Sequence, residues 1–361
     1  MTTTSKSSIF ALTLLAAACG DDSDSGAGTA DTGSSADGLP AAESDSTSGG
    51  ITPSPTPTDD TRGAGSDTDT DTDSDTDSDT DTDSESESES GGTGGAESVQ
   101  LIEGFSAPES AHWHAATQTW FVSNIHGETG DPDGEGWITR LDAEPAITDA
   151  QWVAGLDAPT GIVSTDDTLY VADIDRLVAI DIASAAVVET WTVKGAGLLN
   201  DPALHADGSV YVSDTFAQAV YRFEPGLPPE LVVQDPQLDG PNGLHIDGDT
   251  LTIASTGSFV DFEQEAPMFR LDLDSGALTA VPGISGKFDG IEADGRGVLV
   301  TDFRGMLLRL DSNDQATVLR NFAAEGLVLS TADLGYDPVA GRVGIPDLFG
   351  SQVLFYDLER D

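Results

Sequence analysis

The chain is poor in several features on which large classes of proteins depend. Its 361 residues include a single cysteine, 14 lysines and arginines against 65 acidic residues, and no Gly-x-Ser-x-Gly motif. One cysteine cannot form a disulfide within the chain or build a cysteine-rich metal site. The acidic excess repels nucleic acid and anionic lipid surfaces. The missing motif argues against a serine hydrolase of the nucleophile-elbow type.

The N-terminal segment, residues 1–18, is typical of a signal peptide. Lys6 precedes an apolar run from Ile9 to Ala18, which at ten residues is too short to span a bilayer. The only cysteine follows directly, and Leu15-Ala16-Ala17-Ala18-Cys19-Gly20 resembles a bacterial lipoprotein box, whose cysteine is acylated after cleavage. We therefore expect a lipid anchor at Cys19 and a bacterial lipoprotein held outside the cytoplasm. An ordinary secretory signal is the alternative.

Residues 19–96 are predicted to be a disordered linker. They consist largely of Ser, Thr, Asp, Glu and Gly, and offer almost no large apolar side chain to bury. Asp alternates with Thr or Ser from Asp67 to Asp83, a pattern that resembles a calcium-binding repeat but lacks the glycine that lets such loops turn around the ion. A self-repelling spacer is the preferred interpretation, and a coil of this length spans on the order of 50 Å.

A unit of about forty to fifty residues recurs six times after Ala96. Thirteen residues separate Thr160 from Asp173, and the same step recurs at Asp214, Ser255, Asp302 and Asp347. Each unit ends in a second run of period-two alternation, which is typical of strands. Repeats of this length stack radially as blades. Residues 97–361 are therefore predicted to form an all-β, six-bladed β-propeller, with Glu97 to Ile102 pairing as the outer strand of the last blade.

The repeat also defines six equivalent positions, which should surround the central axis because the first strand of each blade is innermost. They are Glu109, Thr160, Asp201, Asn242, Asp289 and Leu334, with Asn200 and Asp333 one residue earlier in their blades. Several carboxylates this close cannot be buried unpaired without a large cost. Carboxylate and amide oxygens suit Ca²⁺, Mg²⁺ or Mn²⁺ better than zinc. Hydrogen bonds from these side chains to turn amides are the competing explanation.

Two other sets of polar residues have simpler interpretations. The strand-ending carboxylates are expected to be structural, because Asp at a regular turn bonds backbone amides; they are Asp173, Asp214, Asp302 and Asp347. His112 and His114 lie on one face of the first inner strand and could form a zinc site with Glu109. Hydrogen-bonded packing is the more common role for such a histidine pair.

Four segments give the chain a family resemblance. Ala107-Pro108-Glu109-Ser110, Leu199-Asn200-Asp201, Gly240-Pro241-Asn242-Gly243-Leu244 and Phe288-Asp289-Gly290-Ile291 look like the signature segments of one family. That family comprises senescence marker protein, gluconolactonase and luciferin-regenerating enzyme. It consists of six-bladed propellers and is similar to the diisopropylfluorophosphatases and paraoxonases. The resemblance runs from about Glu97 to Glu359.

The resemblance implies specific roles. The family's metal ligands fall on Glu109, Asn242 and Asp289, and its amide that faces metal and substrate falls on Asn200, which also ligates calcium in paraoxonase-like relatives. It implies catalysis by Asp289 and Glu109, with Asp289 as general base toward water or, in phosphatase-like relatives, as nucleophile. Calcium is the favoured cation, with Mg²⁺, Mn²⁺ or Zn²⁺ as alternatives. Sugar-lactonase members carry an arginine two residues before the amide, where this chain has Leu198, so an apolar substrate is favoured over a sugar lactone.

Two functions from different classes follow. The first is a metal-dependent hydrolase of small-molecule lactones or related esters, attached to a membrane only through its lipid anchor. The second is a non-catalytic propeller that binds a ligand or protein, with a metal closing its axis. Together, Glu109, Asn200, Asn242 and Asp289 favour the enzyme, whereas Leu198 and the lack of a recognisable substrate-binding cation favour the binding module.

The lipid anchor gives the first testable prediction. Mass spectrometry of the membrane fraction should find a mature chain that begins at an acylated Cys19, because this cysteine directly follows the apolar run. A Cys19→Ser variant should leave the membrane fraction. An unmodified chain with another N-terminus, or a Cys19→Ser protein that still partitions with membranes, would contradict the anchor.

Overall fold

The computed structural model describes residues 99–358. In this range the chain forms 24 strands, arranged in six antiparallel sheets of four strands each. The predicted signal peptide, the linker and Cys19 lie outside the described residues. Among the residues that are described, no helix has the length and apolar character needed to cross a membrane.

Each of the first five blades is built from four consecutive strands, whereas the sixth combines the two ends of the described chain. The first three blades are β2 (Pro108–His114), β3 (Thr119–Asn124), β4 (Gly136–Asp142) and β5 (Ile147–Leu156); β6 (Pro159–Ser164), β7 (Thr168–Asp173), β8 (Arg176–Asp181) and β9 (Ala186–Thr192); and β10 (Leu199–Leu204), β11 (Val210–Asp214), β12 (Ala219–Phe223) and β13 (Glu230–Gln234). The others are β14 (Pro241–Asp247), β15 (Thr250–Ser255), β16 (Ala266–Asp272) and β17 (Leu278–Gly286); β18 (Phe288–Ala293), β19 (Val298–Asp302), β20 (Met306–Leu310) and β21 (Ala316–Asn321); and β22 (Gly335–Asp337), β23 (Arg342–Asp347), β24 (Gln352–Asp357) and β1 (Val99–Glu103). A single 3₁₀ turn, Pro236–Leu238, precedes β14.

The blades close into a ring. The innermost strands contact one another in the cyclic order β2, β6, β10, β14, β18, β22 and back to β2. Strand β1 pairs with β24 from Val99 opposite Tyr356 to Glu103 opposite Gln352. The predicted six-bladed propeller is confirmed, and so is the prediction that the segment before the first repeat completes the last blade. This pairing ties the two ends of the domain together and covers an otherwise open sheet edge.

The hydrophobic core is divided among the blade interfaces. Six clusters of buried apolar side chains each join two neighbouring blades, as Trp120 and Phe355 do between the first and the sixth. A seventh cluster lies at one end of the axis and includes Ile125, Phe303 and Leu348. A blade packs on one neighbouring blade through each of its faces, so its middle strands are buried on both sides, as β7 is at every position after Thr168.

A two-residue β-bulge begins the innermost strand in each of the first five blades. In β14, for example, Asn242 and Gly243 together oppose Ala254, between the pairs Pro241–Ser255 and Leu244–Ile253. A bulge changes the direction in which the side chains of its residues point. Close approach of the next inner strand requires glycine here, since a Cβ on Gly243 would lie 2.2 Å from the carbonyl oxygen of Asp289.

The strand-ending aspartates hold these bulges in place. The Asp214 carboxylate accepts hydrogen bonds from the backbone amides of Gly197, Leu198 and Ala217 at 2.9–3.1 Å. The carboxylates of Asp173 and Asp347 also accept hydrogen bonds from backbone amides. In each case one of these amides lies two residues before the first bulge residue of the blade, or before the equivalent position in the sixth blade. Asp302 likewise accepts from the amide of Lys287 at 3.1 Å. The prediction that these four aspartates are structural is confirmed, because each carboxylate fixes the connection that leads into an inner strand.

Removal of one such carboxylate should destabilise the domain. We expect Asp214→Ala to lower the free energy of unfolding by about 3 kcal/mol, since three amides lose their acceptor in a site where water has little access. Urea unfolding followed by tryptophan fluorescence measures the change, with Asp166→Ala, an exposed turn residue, as the control. A loss below about 1 kcal/mol for Asp214→Ala would show that the carboxylate is not needed to hold the connection.

Candidate metal centre

The first residue of each bulge points into a small cavity at one end of the axis, which we call the upper cavity. Its polar lining includes Glu109, Thr160, Asn200, Asn242 and Asp289, all of them buried. The sixth blade contributes Ala332, which lies two residues after an amide bound by Asp347. The free volume of this cavity is about 50 Å³, enough for an ion and a few water molecules.

Four side-chain oxygens in the upper cavity are buried and have no hydrogen-bond partner among the described residues. They are Oε2 of Glu109, Oδ1 of Asn200, Oδ1 of Asn242 and Oδ1 of Asp289. A buried polar atom is almost always hydrogen-bonded, because each exception costs about 1–3 kcal/mol. Four exceptions on one cavity indicate a shared ligand that these oxygens are arranged to meet.

Two threonines determine which way the amides face. The hydroxyl of Thr215 donates to the carbonyl oxygen of Pro241 at 2.9 Å and therefore accepts from Nδ2 of Asn200 at 3.0 Å. Thr256 likewise donates to a backbone carbonyl, that of Phe288, and accepts from Nδ2 of Asn242 at 3.0 Å. Since each hydroxyl has one proton to give, the amide nitrogen must face the threonine and the amide oxygen the cavity.

The charges in the cavity are uncompensated. Burial raises the pKa of Glu109 well above its usual range, and the negative charges of Asp289 and Asp333 raise it further. Burial likewise raises the pKa of Asp289, with added repulsion from Asp333 and Asp302. A divalent cation would reverse both effects, because it replaces lost hydration and cancels the charge of two carboxylates.

The donor set fits a hard cation. Two carboxylates and two amide oxygens are ligands typical of Ca²⁺, which takes six to eight oxygens and would keep positions open for water or substrate. Among the described residues no group of three or more His, Cys, Asp and Glu side chains could hold a metal ion. That result is consistent with the four-oxygen set, since half of the set consists of amides.

Two of the six predicted axial residues do not lie in the same cavity as the other four. The structure places Asp201 and Leu334 on a second cavity, which we call the lower cavity, of about 210 Å³ with Asp333, Glu292, His112 and His245. Asp201 is the second residue of its bulge and accepts from the amide of Leu244 at 2.6 Å. Their places in the upper cavity are taken by Asn200 and Ala332. Asn200 takes its place because the β10–β11 hairpin is one residue longer than its counterparts in blades two, four and five, whereas Ala332 precedes the short three-residue strand β22.

The proposed histidine pair does not meet Glu109. Nε2 of His112 lies 2.7 Å from the Ser164 hydroxyl, and His114 contacts Thr117 and the carbonyl oxygen of Thr165. Burial lowers the pKa of His112 to about 3, so this imidazole is neutral. Hydrogen-bonded packing, the alternative given for this pair, is what the structure contains.

Sequence reasoning overlooked the apolar part of the upper cavity. Five phenylalanines line it, and each follows the end of the second strand of its blade; they are Phe216, Phe259, Phe262, Phe303 and Phe349. The two amide-orienting threonines, Thr215 and Thr256, were also missed. The repeat contains a signal for both sets, since these residues follow Asp214, Ser255, Asp302 or Asp347 by one to seven positions.

Comparison with known proteins identifies the fold. Solved structures similar to the chain include a gluconolactonase from Xanthomonas campestris, at 19% identity and a TM-score of 0.53, covering 73% of this chain and 91% of that one. A putative gluconolactonase matches at 15% identity and 0.53, covering 74% and 95%. Luciferin-regenerating enzyme matches at 12% identity and 0.52, covering 73% and 96%.

These similarities confirm the predicted resemblance at the level of the fold. The chain has the six-bladed propeller seen in the gluconolactonases and in luciferin-regenerating enzyme. No family model matches the sequence, and no curated protein matches it. At these identities the activity of the similar structures does not transfer with the fold.

The lower cavity gives a prediction on pH. Burial raises the pKa of Glu292 to about 7, so the folded state holds its proton more tightly than the unfolded state does. This group therefore lowers stability as pH rises from about 4.5 to about 7. We expect Glu292→Gln to remove about 1–3 kcal/mol of that loss, measured by urea unfolding at pH 5 and pH 8 in EDTA.

The exposed Glu263 provides the matched control for this experiment. Glu263→Gln should retain the full pH dependence of the wild-type protein, since an exposed carboxyl is solvated in both the folded and the unfolded state. A Glu292→Gln protein with the same pH dependence as the wild type would show that Glu292 is ionised in the folded state at pH 5.

Proposed function

We propose that this protein is a divalent-cation-dependent hydrolase of lactones or related esters. The proposal depends on one observation, the convergence of four unpartnered buried oxygens on the upper cavity. It is supported by the fold that the chain shares with gluconolactonase structures. A purely structural role for these residues would not require two amide oxygens and two carboxylate oxygens to face one cavity without a hydrogen-bond partner.

In the proposed site Glu109, Asn200, Asn242 and Asp289 hold the cation, with Ca²⁺ favoured by the all-oxygen donor set. Two carboxylates balance one divalent charge, and the amides add donors without adding charge. Thr215 and Thr256 keep the amide oxygens aimed at the cavity. When bound, the cation would polarise the substrate carbonyl and make water a stronger acid.

The residues of the chain then handle substrate and proton. Asn200 orients the substrate carbonyl, and Asp289 accepts a proton from the water that adds to the carbonyl carbon. The ring carbon–oxygen bond breaks, and Asp289 returns the proton to the departing oxygen. The product is a hydroxy acid. Glu109 remains ionised throughout and holds the charge balance of the site.

We also propose that Cys19 anchors the domain outside the cytoplasm through its lipid. The anchor explains how a domain with a strongly acidic sequence could stay at a membrane surface that repels it. A long acidic linker then lets the upper cavity reach small-molecule substrates away from the lipid.

The central test is Asp289→Asn. Calorimetric titration with CaCl₂ and with MgCl₂ should show at least a roughly hundredfold loss of affinity, because one of two neutralising charges is gone. The cation-free variant should be as stable as the cation-free wild type or more so, since a buried carboxylate with a raised pKa disfavours folding at neutral pH. Asp201→Asn, an acid of the lower cavity, is the matched control and should bind cations normally.

The same proteins should be assayed with aliphatic and sugar lactones, with and without EDTA. We expect hydrolysis by the wild type that EDTA abolishes and Ca²⁺ restores, and a loss of roughly 10²- to 10⁴-fold in Asp289→Asn. Equal cation affinity in wild type and Asp289→Asn would exclude Asp289 as a ligand. Tight cation binding with no hydrolysis of any lactone or ester would instead support the non-catalytic binding module.

A further inference from the structure

One side of the upper cavity is lined by five phenylalanines, which we call the phenylalanine collar. It consists of Phe216, Phe259, Phe262, Phe303 and Phe349. Phe216 contacts Phe259 with ring centroids 5.8 Å apart, and Phe303 lies 6.2 Å from Phe262 and 5.4 Å from Phe349. All five come from the turns between the second and third strands of blades three to six, so the collar borders the ligand ring along four neighbouring blades.

The remainder of the lining is also apolar. Ile125, Leu198 and Leu348 complete the wall, and Thr129 and Thr160 are its only polar members besides the four candidate ligands. Of the side chains described along this cavity, only Glu109 and Asp289 are charged. A polyhydroxylated substrate would lose water from its hydroxyls here without gaining matching partners, which is costly.

A buried lysine fixes part of the collar. Residues 256–265 connect β15 to β16 and carry Phe259 and Phe262. Nζ of Lys287 donates to the backbone carbonyls of Ser258 at 2.6 Å and Asp261 at 3.0 Å, and it lies 5.4 Å from the centre of the Phe262 ring. Lys287 is only 1% exposed and stands two residues before Asp289. One side chain thus links the turn that carries two collar rings to the strand that carries a candidate ligand.

We propose that the collar makes this site selective for lactones or esters with an aliphatic or aromatic substituent, and that Lys287 positions the collar. The proposal rests on the hydrolase function proposed above and specifies its substrate class. The whole upper cavity has about 50 Å³ of free volume, so a substituent larger than a few atoms would have to pack against the phenylalanines that line it.

The test is a series of δ-lactones whose alkyl substituent grows from none to six carbons, with glucono-δ-lactone as the sugar counterpart. We expect kcat/KM to rise about fourfold for each methylene that the collar buries. The sugar lactone should react at least 100-fold more slowly than the hexyl lactone. Equal rates along the series, or a preference for the sugar lactone, would overturn the proposal while leaving the hydrolase function intact.

Variants identify the residues responsible. Phe216→Ser and Phe259→Ser should flatten the dependence on chain length to about twofold per methylene or less, because each removes a ring that the substituent contacts. Val260→Ser is the matched control, because Val260 is 68% exposed on the same turn and does not line the cavity. Full retention of the chain-length dependence in both Phe variants would contradict the role of the collar.

Lys287→Met removes the ammonium but keeps the length of the side chain. If Lys287 positions the collar, Lys287→Met should raise KM for the hexyl lactone by at least about tenfold. The variant's kcat for the unsubstituted lactone should stay within about twofold of the wild-type value. The exposed Lys194 provides the control Lys194→Met, which should leave both values unchanged. A variant that unfolds at lower temperature but keeps wild-type chain-length dependence would show that Lys287 only stabilises the fold.

A binding measurement separates this proposal from the hydrolase function. Calorimetry with the corresponding alkyl δ-valerolactams, whose amide bond resists hydrolysis, should show affinity that rises with chain length in the wild type and not in Phe216→Ser. If the lactams bind in this way but no lactone is hydrolysed, the collar is supported and the hydrolase function fails. Lactam binding that ignores chain length would overturn the collar whatever the activity.

Discussion

The structure of the site depends on one constraint, the two-residue bulge that begins an inner strand. Without a bulge, successive side chains of a strand alternate between its faces, and an inner strand would present its residues to the neighbouring blades. The bulge aims one side chain up the axis and, in the third blade, the next one down it: Asn200 lines the upper cavity and Asp201 the lower. In blades one, three and five a hydroxyl of the opposing strand binds the freed amide, so the distortion leaves no unsatisfied amide there.

This geometry concentrates negative charge that the protein alone does not neutralise. Glu109 and Asp289 are buried near further acids, and the directions of their pKa shifts reflect the cost of ionising both. A site optimised only for stability would replace such residues, since well-packed apolar groups are usually no less stable. Hydrogen bonds also turn two amide oxygens into the same cavity. A bound cation, as proposed, would account for both the buried charge and the orientation of these amides.

Much of this was predictable from the sequence, because the strand pattern and the repeat length together define blades. The closing role of the first strand and the axial position of Glu109, Asn242 and Asp289 also followed from the repeat. The thirteen-residue spacing assigned the wrong residue where a blade departs from the repeat. The β10–β11 hairpin has one extra residue, and β22 has only three residues. Fixed spacing cannot detect such local changes in length, whereas the segment around Asn200 pointed, through its resemblance to other propellers, to the residue that lines the upper cavity.

The sequence signal for the collar is weak, for a related reason. Its phenylalanines lie in turns of different length, so they share no spacing, and only the closed ring brings four of these turns over one cavity. This arrangement separates two properties of the site. The ligands belong to inner strands held by backbone pairing and by glycine contacts, whereas the collar belongs to turns that tolerate substitution. In the proposed hydrolase, substrate preference could therefore change through the collar while the candidate cation ligands stay the same, so Leu198 and the five phenylalanines carry more information about the substrate than those ligands do.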